Sequence, residues 1–189
     1  MQWRNTSGNW GMPAILLHWL VAITVLGLFG LGLWMIELDY YSPWYRQAPD
    51  IHRSIGILLI VDILLRLVWR MVNLTPTALP SHQHWEIRSA HVTHVLLYLL
   101  PLAVMITGYL ISTADGRSVW VFDWFEVPAL LSGLDQQETI MGDVHRVLSW
   151  ILIGIAAVHA AGALKHHFFD RDTTLTRMLG LSKTEEQVQ

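Results

Sequence analysis

The sequence predicts an all-α fold, a transmembrane four-helix bundle, on three observations. Hydrophobic residues make up 53% of the 189 positions and charged residues only 14%, against roughly 25% charged in an ordinary soluble domain. The apolar residues gather into four stretches, each near the roughly 20 residues a helix needs to cross hydrocarbon. Most of the charges fall between those stretches, and the loops sort by sign from one to the next. A chain of this length suits a single domain, and the 12 basic against 15 acidic residues leave no cationic surface for a nucleic-acid partner.

The first stretch runs from Ala14 to Ile36 with His18 as its only ionisable residue. Acidic and aromatic residues follow it rather than a small-residue cleavage site, so it predicts a permanent span and not a secretory signal. The second, Ile51 to Met71, carries Asp62, Arg66 and Arg70, which makes its hydropathy marginal. Asp62 and Arg66 stand four apart on one helical face, where they can pair, and the two arginines can reach toward headgroups. The third, His91 to Ser112, contains Pro101, which predicts a bend. The fourth covers Asp143 to His167. One domain is expected over residues 1–181, with spans at about 14–36, 51–71, 91–112 and 143–167. Residues 182–189 are expected to be a disordered tail, for want of apolar area.

Orientation follows from the loops. Arg4, Arg66, Arg70, Arg88, Lys165, Arg171, Arg177 and Lys183 hold or border the N-terminus, the 70–88 segment and the C-terminal tail. The other two loops, 37–50 and 113–143, are acidic on balance, with only Arg46 and Arg117 inside them. The positive-inside rule then puts both termini in the cytoplasm. The aromatic run Val119 to Phe125 in the long outer loop is expected to lie along the lipid interface, as are Trp34, Tyr40, Tyr41, Trp44 and Tyr45.

Chemistry is expected at histidine. The absence of cysteine excludes disulfides, iron–sulfur clusters, zinc-thiolate sites and thiolate-bound or covalently attached haem. An ionisable side chain in a membrane helix is costly enough to be a functional hypothesis by default, and all four stretches carry one or more His. His145 and His159 are 14 residues apart, about 21 Å of helical rise and about 40° short of four full turns, so they share a face at opposite depths. His18 matches His159 in depth toward the cytoplasm, and His52 matches His145 toward the outside. Each depth-matched pair can fill both axial positions of a haem, leaving no place for oxygen and limiting the chemistry to electron transfer. Gly56 and Gly162 would lower the helix surface where a macrocycle packs, and Arg53 and Arg146 can meet a propionate.

Other roles stay open for these side chains. Intramembrane His can simply bond helix to helix. His91 and His94 are alternatives to His18 as a ligand, or members of a proton or quinone site. His82 and His84, in a Pro-bounded loop, read as solvated. His166 and His167 suit the carbonyl pole of a helix end and need no further role. A haem-free proton or metal-ion path through the His set is a further alternative.

The Leu17-His18-Trp19-Leu20 opening, the Ile51-His52-Arg53-Ser54-Ile55-Gly56 segment, and His91-Val92-Thr93-His94 leading to Pro101 form one ordered set with His145 and the Val158-His159 to His166-His167 ending. That set resembles the bacterial cytochrome b561 family over about residues 9 to 180. The family is similar in fold to the b-type subunits of formate dehydrogenase and nickel–iron hydrogenase. The resemblance implies an inner-membrane electron-transfer protein with two b haems, exchanging electrons with ubiquinone or another quinone. Its ligand positions fall on His18, His52, His145 and His159. It also raises superoxide oxidation at the outer face, although acidic outer loops repel an anion. A haem-bearing anchor for a dehydrogenase or hydrogenase partner protein is the rival reading.

Overall fold

The computed structural model describes residues 2–181, so the tail expected at 182–189 lies outside the described residues. The fold is all-α, a membrane helical bundle, with the order α1 (Met12–Met35), α2 (Gln47–Val72), α3 (His84–Ser112), β1 (Val119–Val121), β2 (Phe125–Val127), α4 (Gln137–Phe168) and α5 (Thr174–Met178). The long helices run past most ends of the apolar stretches, α3 by seven residues and α4 by six at their N-terminal ends. Hydropathy marks only the part of a helix in hydrocarbon, whereas hydrogen bonding continues into the polar turns beyond. Among the described residues, α1, α3 and α4 are long and apolar enough to cross a membrane by length and composition. The charges Asp62, Arg66 and Arg70 set α2 apart from them. Pro101 lies inside α3, which continues through it as one helix.

Buried apolar side chains are few for so hydrophobic a chain, and large ones such as Leu16, Ile23, Leu65, Leu99, Ile106 and Val158 are exposed. A soluble domain would bury them; helices solvated by lipid need not.

The chain divides into two compact units, one of residues 1–20, 62–97 and 154–189, the other of residues 21–61 and 98–153. In the first unit, the segment before α1 is tied down as a strap. The Asn5 side-chain amide donates to the Leu74 carbonyl (2.7 Å) while its oxygen accepts from the Gly11 N–H (2.8 Å), and the Thr77 N–H donates to the Ser7 carbonyl (2.9 Å). Gly11 is required there, since a Cβ would stand 2.5 Å from the Trp3 carbonyl oxygen. Trp19 Nε1–H of α1 donates to the Met178 carbonyl of α5 (2.9 Å). Lys165 of α4 bridges Glu86 of α3 (2.6 Å) and Asp170 (2.7 Å).

In the second unit, the aromatic run forms a β-hairpin, pairing Val119 with Val127 and Val121 with Phe125. Its turn closes with the Trp124 N–H donating to the Val121 carbonyl (2.9 Å), and Phe122 and Asp123 both have positive φ, 46° and 57°. That matches the mirror-image turn favoured by strand twist, with strain at the non-glycine Phe122. Ser54 of α2 pins the hairpin, its Oγ accepting from the Phe122 N–H (3.1 Å). The loop that follows is held by Tyr109, whose hydroxyl donates to the Pro128 carbonyl (2.6 Å) and accepts from the Leu130 N–H (2.8 Å).

Candidate functional site

Each unit holds a pair of imidazoles whose ring centres stand 6.2 Å apart. In the first, the ring centres of His18 (α1) and His159 (α4) are 6.2 Å apart at an interplanar angle of 69°. In the second, His52 (α2) and His145 (α4) give the same 6.2 Å and 69°. All four rings are half-buried. Two metal–imidazole bonds of about 2.0–2.1 Å, with roughly 1.1–1.2 Å from each nitrogen to its ring centre, put the centres about 6.2–6.6 Å apart. Rotation of the rings about the nitrogen–metal axis leaves that distance unchanged, so the interplanar angle is compatible with a metal gripped from both sides.

The surroundings of the second pair orient one of its rings. His145 Nδ1 lies 2.9 Å from the Val104 carbonyl and 3.2 Å from Thr107 Oγ1. A carbonyl only accepts, so Nδ1 carries the proton and Nε2 keeps its lone pair for a metal. Thr107 is fixed in turn by donating toward the Val104 carbonyl (2.8 Å) and the Ala103 carbonyl (3.1 Å). His52 Nδ1 is buried with no hydrogen-bond partner among the described residues. The glycines that make room for these rings are Gly108, where a Cβ would sit 3.1 Å from His145 Cε1, and Gly32, where it would sit 3.4 Å from His52 Cε1. Gly56 and Gly162, singled out by sequence, meet nothing within 4 Å. They offer open helix surface but do not cradle an imidazole.

The first pair has a charged neighbour. Arg66 Nη2 lies 3.0 Å from His18 Nδ1, and guanidinium only donates, so in this contact Nδ1 accepts. Arg66 is thus turned to His18, while both carboxylate oxygens of Asp62 are buried without a hydrogen-bond partner among the described residues. The within-helix Asp62–Arg66 pairing that spacing allows gives way to an imidazole on α1. His94 of α3 also faces His159, with ring centres 5.2 Å apart, about 1 Å less than the metal-sandwich distance. His91 and His84 are exposed.

The arginines beside the second pair are engaged by nearby acids. Arg53 pairs with Asp50, Arg146 with Asp143 (2.9 Å), and Arg117 with Asp115 (2.6 Å). Arg53 and Arg146, expected from sequence as propionate partners, therefore each have a carboxylate within three residues. The Arg117 side-chain hydrogen bond holds the Asp115 carboxyl below the ordinary range. Arg53 and Arg117, with Gln47, Asp50, Asp123 and Glu126, help line a pocket of about 720 Å³, to which His52 itself does not contribute. Sequence reasoning missed one grouping in the first unit. His82 and His166, read as solvated and as a helix-end cation, have ring centres 4.3 Å apart, and Asp170 and Asp172, four and six residues past His166, were the available signal.

Comparison with known proteins agrees with this helical membrane architecture. The family model described as prokaryotic cytochrome b561 matches residues 9–181. The chain is 45% identical over 185 residues to cytochrome b561 homolog 2 of Escherichia coli (strain K12), covering 98% of each protein. It is 29% identical over 171 residues to cytochrome b561 homolog 1 of the same organism, covering 87% of this chain and 93% of that protein. It is also 30% identical over 168 residues to a Yersinia pestis protein named "Probable superoxide oxidase CybB", covering 86% and 91%. The chain belongs to the prokaryotic cytochrome b561 family, membrane electron-transfer proteins that bind b-type haem.

Proposed function

We propose that this protein holds two b haems, one between His18 and His159 and one between His52 and His145, and passes electrons between them and the quinone pool of the bacterial inner membrane. The observation that carries the reading is the repeated 6.2 Å spacing of the two imidazole pairs, together with a His145 ring whose Nδ1–H is committed to a carbonyl. When bound, bis-imidazole haem supplies one-electron exchange with no vacant coordination position. The residues supply the rest. Val104 and Thr107 hold His145 in the coordinating tautomer; Gly108 and Gly32 leave space for the rings; Arg66 brings a positive charge against His18. For His18 to coordinate through Nε2 as a neutral ring, Nδ1 must carry the proton, so Arg66 releases that nitrogen. Both termini are cytoplasmic in this reading, from the distribution of Lys and Arg.

The test is a reduced-minus-oxidised spectrum of the solubilised protein with His159 replaced by Leu. About half the haem absorbance should disappear; full haem content would remove the assignment.

A second reading of the electron donor is favoured by the relative named as a superoxide oxidase. Superoxide at the pocket lined by Arg53 and Arg117 would give up one electron to become oxygen, and two such electrons with two protons reduce a quinone to quinol. Because Arg53, Arg117 and Arg146 are each paired with an aspartate, collection of the anion in this protein would not depend on a cationic funnel. Superoxide-dependent quinone reduction by the purified protein, with none when superoxide dismutase is present, tests this reading.

A further inference from the structure

We propose that the first unit contains a zinc-type divalent cation site made by His82, His166 and Asp172, separate from the paired imidazoles of the electron-transfer path. The three side chains come from three segments: the loop before α3, the last turn of α4 and the link to α5. One ligand atom from each lies within 4.8 Å of the other two. Asp172 Oδ2 is 2.9 Å from His82 Nε2 and 3.6 Å from His166 Nδ1. Tetrahedral coordination at about 2.0–2.1 Å separates neighbouring ligand atoms by about 3.3–3.4 Å, so small shifts seat a metal.

The site is oriented and enclosed. Asp172 Oδ1 accepts from the Thr174 N–H at 2.8 Å, which fixes the carboxylate and leaves Oδ2 for the two imidazoles. The side chains of His82, His166 and Asp172 are only 15%, 14% and 8% exposed, unlike an adventitious surface histidine. Charge also favours a dication. Asp170 and Glu86 flank His166 and share the single ammonium of Lys165, so three carboxylates against one cation leave two negative charges. Two imidazoles and one carboxylate with a fourth position for water is a donor set suited to Zn²⁺. In metal-free protein the same atoms make a His82–Asp172 hydrogen bond, and His166 Nδ1 bonds Asp170 (2.7 Å). Binding exchanges those two contacts for metal bonds.

The experiment uses the full-length haem-loaded protein in detergent, stripped with a chelator and dialysed against Zn²⁺, with zinc and iron measured by elemental analysis. The intact protein should retain one zinc per chain. Asp172→Asn, close in shape to the original, should weaken retention at least tenfold, as should His82→Ala, while each keeps its haem spectrum. His84→Ala, at an exposed histidine outside the cluster, should bind as the parent does. If His82→Ala misfolds by the haem spectrum, Asp172→Asn decides the question. No zinc on the parent protein, undiminished zinc on Asp172→Asn, or an equal loss from His84→Ala overturns the proposal and leaves adventitious histidine binding only.

Discussion

Two imidazoles compete for the same partner in the first unit, and replacing each in turn separates them. His18 stands 6.2 Å from His159 by ring centres and His94 stands 5.2 Å away. With roughly 1.1–1.2 Å taken up inside each ring, 6.2 Å leaves about 1.9–2.0 Å per nitrogen–iron bond, close to the usual imidazole–metal value, whereas 5.2 Å leaves about 1.5 Å, too short for any such bond. If His18 serves one of two haem centres as proposed, His18→Leu should lower the haem-to-protein ratio by about half. His94→Leu should leave that ratio intact. The assay is a pyridine haemochrome measurement on purified protein, paired with low-temperature difference spectra that resolve the two centres. Loss of haem in His94→Leu with retention in His18→Leu would refute the geometric argument and make His94 the ligand.

Further outcomes follow from neighbouring contacts. Gly108→Ala places a methyl 3.1 Å from a ring that Val104 and Thr107 prevent from retreating; strain of about 1–3 kcal/mol should reduce occupancy of the His52–His145 centre, seen as haem loss on dilution. Gly32→Ala, at 3.4 Å, should cost visibly less, and equal losses would contradict this account of the two glycines. With Arg53, Arg117 and Arg146 paired to aspartates, any superoxide-driven rate should stay flat or rise as ionic strength increases from about 0.01 to 0.15 M; a steep fall would reveal a cationic funnel. Hydrogen bonds from Lys165, and from His166 beside it, hold the Asp170 carboxyl below its ordinary range. Its stabilising effect is thus present above the unfolded value near pH 4 and lost as pH falls through the lower folded one. Thermal melts of Lys165→Met should show a weaker acid dependence than the parent; identical pH profiles would exclude the contact as a contributor.

Much of the scaffold is legible in the sequence because lipid imposes a simple rule: an apolar run long enough to cross must be helical. The facing of His18 with His159 and His52 with His145 was reachable too, since α-helical rise and phase convert spacing into depth and side. What periodicity does not reveal is choice among partners on different helices. Arg66 has Asp62 one turn back, yet takes a nitrogen of His18, a residue 48 positions away. Gly32 and Gly108 touch imidazoles of other helices, whereas Gly56 and Gly162, noticed because they follow histidines in sequence, do not. The hairpin at 119–127 was hidden because Phe122 and Asp123 are not the Asn-Gly or Gly-Gly turn signals normally read. His82 meets His166 and Asp172 through loop geometry that hydropathy does not encode.

The strap ahead of α1 bears on how this protein can be handled at the bench. Its anchor points on Leu74 and Thr77 belong to the connection leading into α3, so a fusion or affinity handle that pulls residues 2–10 away would strip hydrogen bonds from a neighbouring connection as well as from itself. Deleting those nine residues would likewise bare the start of α1 and the end of α2 together.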